Sequence, residues 1–172
     1  KGRLSIEGGI SSDWFSAVVT QMGEEQGLQY FKDLVAASDI DVRQGYSLLA
    51  ELIVSGEVPY ALTVFSYKAE QLKADGAPID WYAIEPNAIA RSTSVAVFKT
   101  APNPYSAALY YDFLLSEEGE KILTELHFPP ATKDFQSMQD NLQIRFINDE
   151  MILDEFEKWD SLFQEIIVRK ET

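Results

Sequence analysis

The stretch Gly56–Tyr67, GEVPYALTVFSY, decides the fold. A glycine closes a helical pattern, Glu57 and Val58 lead in, and an apolar run continues to Phe65. The run is short and rich in β-branched and aromatic residues, the composition of a strand covered on both faces. We expect Val58–Phe65 to be the central strand, with Pro59, which has no N–H, at its start or on an unpaired side. Ser66, Tyr67 and Lys68 end the run, and a helical pattern resumes at Ala69. In an open α/β sheet, ligands bind beyond the carboxyl ends of the strands. Tyr67 therefore stands where a ligand is expected.

Before this stretch, Arg3–Glu7 alternates as a short strand and Gly8-Gly9-Ile10-Ser11-Ser12 turns the chain. Ser11 or Ser12 suits an N-cap, and Asp13 suits the first turn of the helix that follows. Trp14, Phe15, Val18, Val19 and Met22 make one apolar face at helical spacing. A strand, a Gly/Ser turn and a helix start form a place where backbone N–H groups hold an anion. Glu24–Ala37 is expected to be a second helix, with Leu28, Phe31, Leu34 and Val35 inward. Asp39–Val42 is a short extended piece. Gln44-Gly45-Tyr46-Ser47 turns into a third helix, which Gly56 terminates.

After it, Tyr67–Ala74 is helical and Trp81–Ile84 reads as a strand closed by Glu85-Pro86. Asn87–Ser94 reads as a polar crossover and Val95–Phe98 as another apolar strand. Asn103 before Pro104 marks a helix start, and Ser116 begins the next helix. Residues 131–147 carry no clear pattern. From Asn148 the stripe Ile152, Phe156, Trp159, Phe163 and Ile166 predicts one long amphipathic helix whose aromatic face is core. Strands and helices alternate at βα spacing, the mark of a mixed or mainly parallel sheet with helical cover.

The 172 residues suit one ordinary domain, or one lobe and part of another. With 28 acidic and 14 basic side chains the formal charge is −14. Such a field repels nucleic acid and anionic membrane. No window approaches a membrane span of ~18 apolar residues. Cysteine is absent, which excludes disulfides and thiolate sites. The lone histidine, His127, sits in a loop-like Phe-Pro-Pro context and is read as structural or exposed. The acidic pairs Glu117/Glu118 and Asp154/Glu157 lie on helix faces expected to be polar, so no enzyme is expected. The opening KGRLSIE, without initiator methionine or signal-like segment, reads as the interior of a longer protein.

Two runs carry a resemblance: GEVPYALTVFSYKAEQLKADGAPIDWYAIEP (56–86) and SVAVFKTAPNPYSAALYYDFLLSEEGEKIL (94–123). With the opening KGRLSIE and the later DWF, they resemble the family-1 extracellular solute-binding proteins of ABC importers, nearest to the ferric-iron branch. The resemblance spans roughly residues 1–126. It implies the type II periplasmic-binding-protein fold, two α/β lobes closing over a solute. It places residues 1–88 and 131–172 in lobe two and 89–130 in a returning segment of lobe one that includes the hinge crossover. The chain would then be a fragment of a protein roughly twice its length. It implies a periplasmic or cell-surface location, an ABC permease as partner, and no enzymatic step. Val95–Phe98 and Pro104–Leu115 would lack sheet partners, so a dimer or an exchanged segment is expected.

In the iron branch two adjacent tyrosines bind ferric ion, and the matching positions here are Ser66-Tyr67. With Tyr67 alone retained, the resemblance implies a small polar or anionic solute: a phosphate- or phosphonate-bearing metabolite, a carboxylate or a sugar. No cofactor is expected, and Fe3+ on Tyr67 is the alternative cargo. A ligand-sensing domain feeding a signalling partner is the other alternative. The expected ligand-binding residues all lie at strand ends, helix starts or the hinge. Ser11 and Ser12 offer hydroxyls and N–H groups to an anionic part, and Gly45, Tyr46 and Ser47 form a second such turn. Tyr67 stacks on or hydrogen-bonds the solute. Arg91 pairs with a carboxylate or phosphate, and Glu85 fixes a hydroxyl or ammonium.

Overall fold

The computed structural model describes residues 3–83, 87–129 and 143–168. It is an α/β structure with parallel strand pairs flanked by helices. Strand β1 (Leu4–Glu7) is the middle of a three-stranded parallel sheet, between β2 (Asp41–Arg43) and β3 (Tyr60–Ala61). Ser5 stands opposite Asp41 on one side and opposite Ala61 on the other.

The run Val58–Phe65 is therefore an edge, not the centre, and its ladder is two residues long. Pro59 gives the reason: it lies immediately before the ladder and cannot donate to it. Beyond Ala61 the chain still touches β1, with Leu62 donating its N–H to the Ser5 carbonyl at 2.9 Å. It then bends away into α4 (Ser66–Ala74).

Helices α1 (Ser12–Met22) and α2 (Glu24–Ser38) follow β1, and α3 (Tyr46–Val54) follows β2. The core lies under α1 and α2: Ile6, Phe15, Val19, Phe31 and Ile40 pack with Trp159, Phe163, Ile166 and Ile167. Phe15 is its hub, with ring centroids 4.7 Å from Phe31 and 5.7 Å from Phe163. The expected apolar faces of α1 and α2 are present. Met22, at the end of α1, is the member left exposed.

The C-terminal stripe is inward where expected at Trp159, Phe163 and Ile166, but its backbone is not one helix. It is α7 (Asp149–Asp154), α8 (Phe156–Phe163) and a π-helical turn at Gln164–Val168. Glu155, between α7 and α8, has φ −116° and ψ 20°, outside helical geometry. The wider π turn buries both Ile166 and Ile167, which a regular helix would set about 100° apart. Lys158 lies over the Trp159 ring at 4.4 Å and reaches Glu24 at 2.8 Å, tying α8 to α2.

Three further expectations are corrected. Of the expected strand Trp81–Ile84, Ile84 lies outside the described residues and 81–83 is not a strand: Trp81 is held through its side chain, whose Nε1–H donates to Glu70 at 2.7 Å. The supposed polar crossover begins with a strand, β4 (Asn87–Ala90), paired in parallel with β5 (Gln143–Phe146) in the segment that had no pattern. Val95–Phe98 is exposed coil, because no strand among the described residues lies beside it to complete a ladder. It leads into α5 (Pro104–Leu114) and α6 (Glu117–Glu125), the latter capped by Ser116, whose hydroxyl accepts from the Gly119 N–H at 3.2 Å. Beyond α6, His127 is an exposed residue in the left-handed region at φ 64°. No residue of α5 is buried.

Candidate functional site

The loops after β1, β2 and β3 meet at the carboxyl edge of the three-stranded sheet, and Glu7 joins them. It is the last residue of the middle strand and only 3% exposed. One carboxylate oxygen accepts the N–H of Gly9 at 2.8 Å and of Gly45 at 3.1 Å. The other accepts the N–H of Ile10 at 2.9 Å and lies 3.3 Å from the Ser11 hydroxyl. The Glu7 N–H donates to Thr63 Oγ1 at 3.1 Å, which brings in the β3 loop. Ser11 Oγ also lies 3.3 Å from Thr63 Oγ1 and 3.1 Å from the Tyr46 hydroxyl.

Two glycines permit this closure. Gly45 has φ +93°, in the left-handed region where a side chain is strained. A Cβ on Gly9 would sit 2.8 Å from a Glu7 carboxylate oxygen.

Asp13, in the first turn of α1, is buried and pairs with the Arg91 guanidinium. Its other oxygen accepts the Trp14 N–H at 2.6 Å. Arg91 follows β4, so the ion pair draws the crossover to the start of α1. Beside it runs a row of rings: Tyr46 on Phe65 at 4.3 Å, Phe65 on Tyr67 at 5.6 Å and Tyr67 on Phe128 at 4.4 Å. The last two pairs are near parallel.

Most of the residues singled out from the sequence thus gather at one edge. Ser11, Gly45 and Tyr46 share one hydrogen-bond network with Glu7, and Arg91 pairs with Asp13 at the start of α1. Ser12 is buried at the first position of α1, and Ser47 is exposed on α3. Tyr67 is half-buried, its ring stacked on Phe65 and Phe128. Glu85 lies outside the described residues. In the two turns expected to hold an anion, the N–H groups of Gly9, Ile10 and Gly45 are engaged by Glu7 instead. Sequence reasoning missed Glu7, Thr63 and the Asp13 partnership. The available signal was a carboxylate at a strand end directly before Gly8-Gly9.

Among the described residues, no group of three or more His, Asp or Glu side chains is placed to hold a metal ion. No helix among them is long and apolar enough to cross a membrane.

Burial pushes the Tyr46 phenol above its ordinary value of 10.0; the Ser11 hydrogen bond draws it back, and Glu7 and Asp13 raise it further. The folded state therefore favours the neutral phenol. That stability is fully present below about pH 10 and is lost as pH rises through the folded value. In thermal melts above about pH 10, Tyr46→Phe should lose stability more slowly than the wild type. Parallel curves would show that the phenol does not titrate late.

Comparison with known proteins accords with this architecture. The model of the family described as bacterial extracellular solute-binding protein matches residues 13–128. No curated protein sequence matches the chain. A crystal structure of the substrate-binding protein of an ABC transporter from Agrobacterium tumefaciens superposes with a TM-score of 0.68 at 14% sequence identity. The likeness covers 95% of this chain and 55% of that one, so the chain spans about half the length of its solved neighbour. At that identity the likeness establishes the fold, and the family match establishes the rest: the chain belongs to the bacterial extracellular solute-binding proteins.

Proposed function

We propose that this chain supplies one gripping face of a substrate-binding protein, which captures a small polar solute between two lobes and hands it to the permease of an ABC importer. One observation carries the reading: three strand-end loops and the crossover residue Arg91 converge on the carboxyl edge of a parallel sheet. Capture and release need shape and hydrogen bonding alone, so the reading assigns no catalytic residue. The protein would work in the periplasm or attached outside the cell.

We place residues 1–88 and 131–172 in one lobe and 89–130 in the returning segment of the other. Two features support this division. The main core joins β1, α1 and α2 to α8 and the π turn, while Val95–Leu126 contributes nothing to it. In chain order β4 leads out to that stretch, the arm (residues 95–126), and β5 leads into α7 and α8. In the 172-residue chain the arm's apolar face would be covered by a second copy, docked or exchanged.

The test is native mass spectrometry of the full-length protein as purified, before and after mild denaturing dialysis. A mass excess of a small organic solute, removed by dialysis, is the expected result. An excess of ferric iron, with a phenolate colour lost in Tyr67→Phe, would replace this reading with iron capture.

A further inference from the structure

Loops that present converging N–H groups at the edge of a parallel sheet form a ready receptor for an anion. Here the receptor is filled from within. Both oxygens of the Glu7 carboxylate are engaged, by the N–H groups of Gly9, Gly45 and Ile10 and by the Ser11 hydroxyl. The bonds reach two different loops, and through Thr63 and Ser11 they extend to the third. The other group suited to an anion, Arg91, is paired with Asp13.

We propose that Glu7 is the positioning and specificity-determining residue of this site. Its carboxylate occupies the place a ligand anion would take and locks three loops into one rim. The rim is thereby left to an uncharged or positively charged polar part of the solute. The specificity clause rests on the solute-capture reading above; the positioning clause does not.

The physical argument is one of occupancy and charge. A buried carboxylate bound by several N–H donors forms charge-assisted bonds, stronger than those between neutral groups. A phosphate or carboxylate approaching these loops would find the N–H groups of Gly9, Ile10 and Gly45 taken. It would also meet two carboxylates, Glu7 and Asp13, against one guanidinium, within a chain of formal charge −14. Gly9 is part of the same device, since any side chain there would press on the carboxylate.

Chemical rescue tests it. Glu7→Ala removes the anion and leaves its donors facing a small void, which formate fills. Formate at ~0.1 M should raise the melting temperature of Glu7→Ala by about 3 °C over chloride at equal ionic strength. The wild type and Glu7→Gln, whose side chains fill the void, should not respond. If Glu7→Ala does not fold in chloride, its refolding yield in formate against chloride carries the same readout. Equal behaviour in the two salts would overturn the positioning clause. Stabilisation of the wild type by inorganic phosphate would overturn the specificity clause. So would a phosphorylated solute in the full-length protein, with formate rescue intact, and that result would leave the capture reading standing.

Discussion

Phe15→Ala is expected to remove about 3–5 kcal/mol of unfolding free energy, the usual cost of emptying a buried phenylalanine site. Phe15 is fully buried on α1 and packs against Phe31 of α2 and Phe163 of α8. It joins two consecutive helices to a third that lies more than a hundred residues further along the chain. None of the three can close the void without moving the other two, so the cost should fall at the upper end of that range. For a chain of this size the melting temperature would drop by roughly 10 °C. Phe156→Ala supplies the control. Phe156 belongs to the same C-terminal aromatic stripe but is 54% exposed, and its loss should cost about 0.5 kcal/mol or less. Urea unfolding of both variants checks the pair. Equal losses would mean that the stripe does not dock on α1 as described.

The first α1 turn carries Asp13, and the turn before it carries Ser11, so Phe15 also anchors the strand-end loops. A partial loss of packing at Phe15 should therefore loosen the Asp13–Arg91 pair before the sheet itself opens.

The same contrast shows what local pattern conveys. Phe15, Val19, Phe31, Trp159 and Phe163 are legible because helical periodicity marks a buried face whatever covers it. Phe156 sits on the same stripe and is exposed, because burial needs a partner and periodicity does not name one. The strands follow the same logic. β1 and the helix starts are legible from alternation and caps, whereas Val95–Phe98 has strand composition and no ladder, because a strand exists only by pairing. Conversely, β4 and β5 carry no local strand signal, since their pairing joins residues more than fifty positions apart. At the site, the turns bearing Ser11, Gly45 and Tyr46 were legible from their glycines and serines. Glu7 was not, because its role comes from three loops meeting, and only one of them adjoins it in sequence.

The arm leads to the second large expected effect. Phe98 is 83% exposed, Tyr105 91% and Leu109 72%. Tyr105 and Leu109 are one helical turn apart and share a face of α5. Each would contribute up to about 1.5–3 kcal/mol if fully covered, and a two-fold dimer covers all three twice, against the roughly 8 kcal/mol that micromolar association requires. The formal charge of −14 opposes this. Repulsion between like-charged copies acts over ~30 Å at 0.01 M salt but only ~10 Å at 0.1 M. The 172-residue chain should therefore associate more strongly as salt is raised, the reverse of an interface built on ion pairs. Sedimentation velocity across that salt range reads the effect directly. The triple variant Phe98→Ser, Tyr105→Ser, Leu109→Glu should sediment as a monomer throughout and keep the wild-type unfolding transition, because none of the three residues belongs to the main core. A wild-type chain that stays monomeric at every salt concentration would show that the arm folds back on its own lobe in solution, and the proposed division at residue 89 would fall with it.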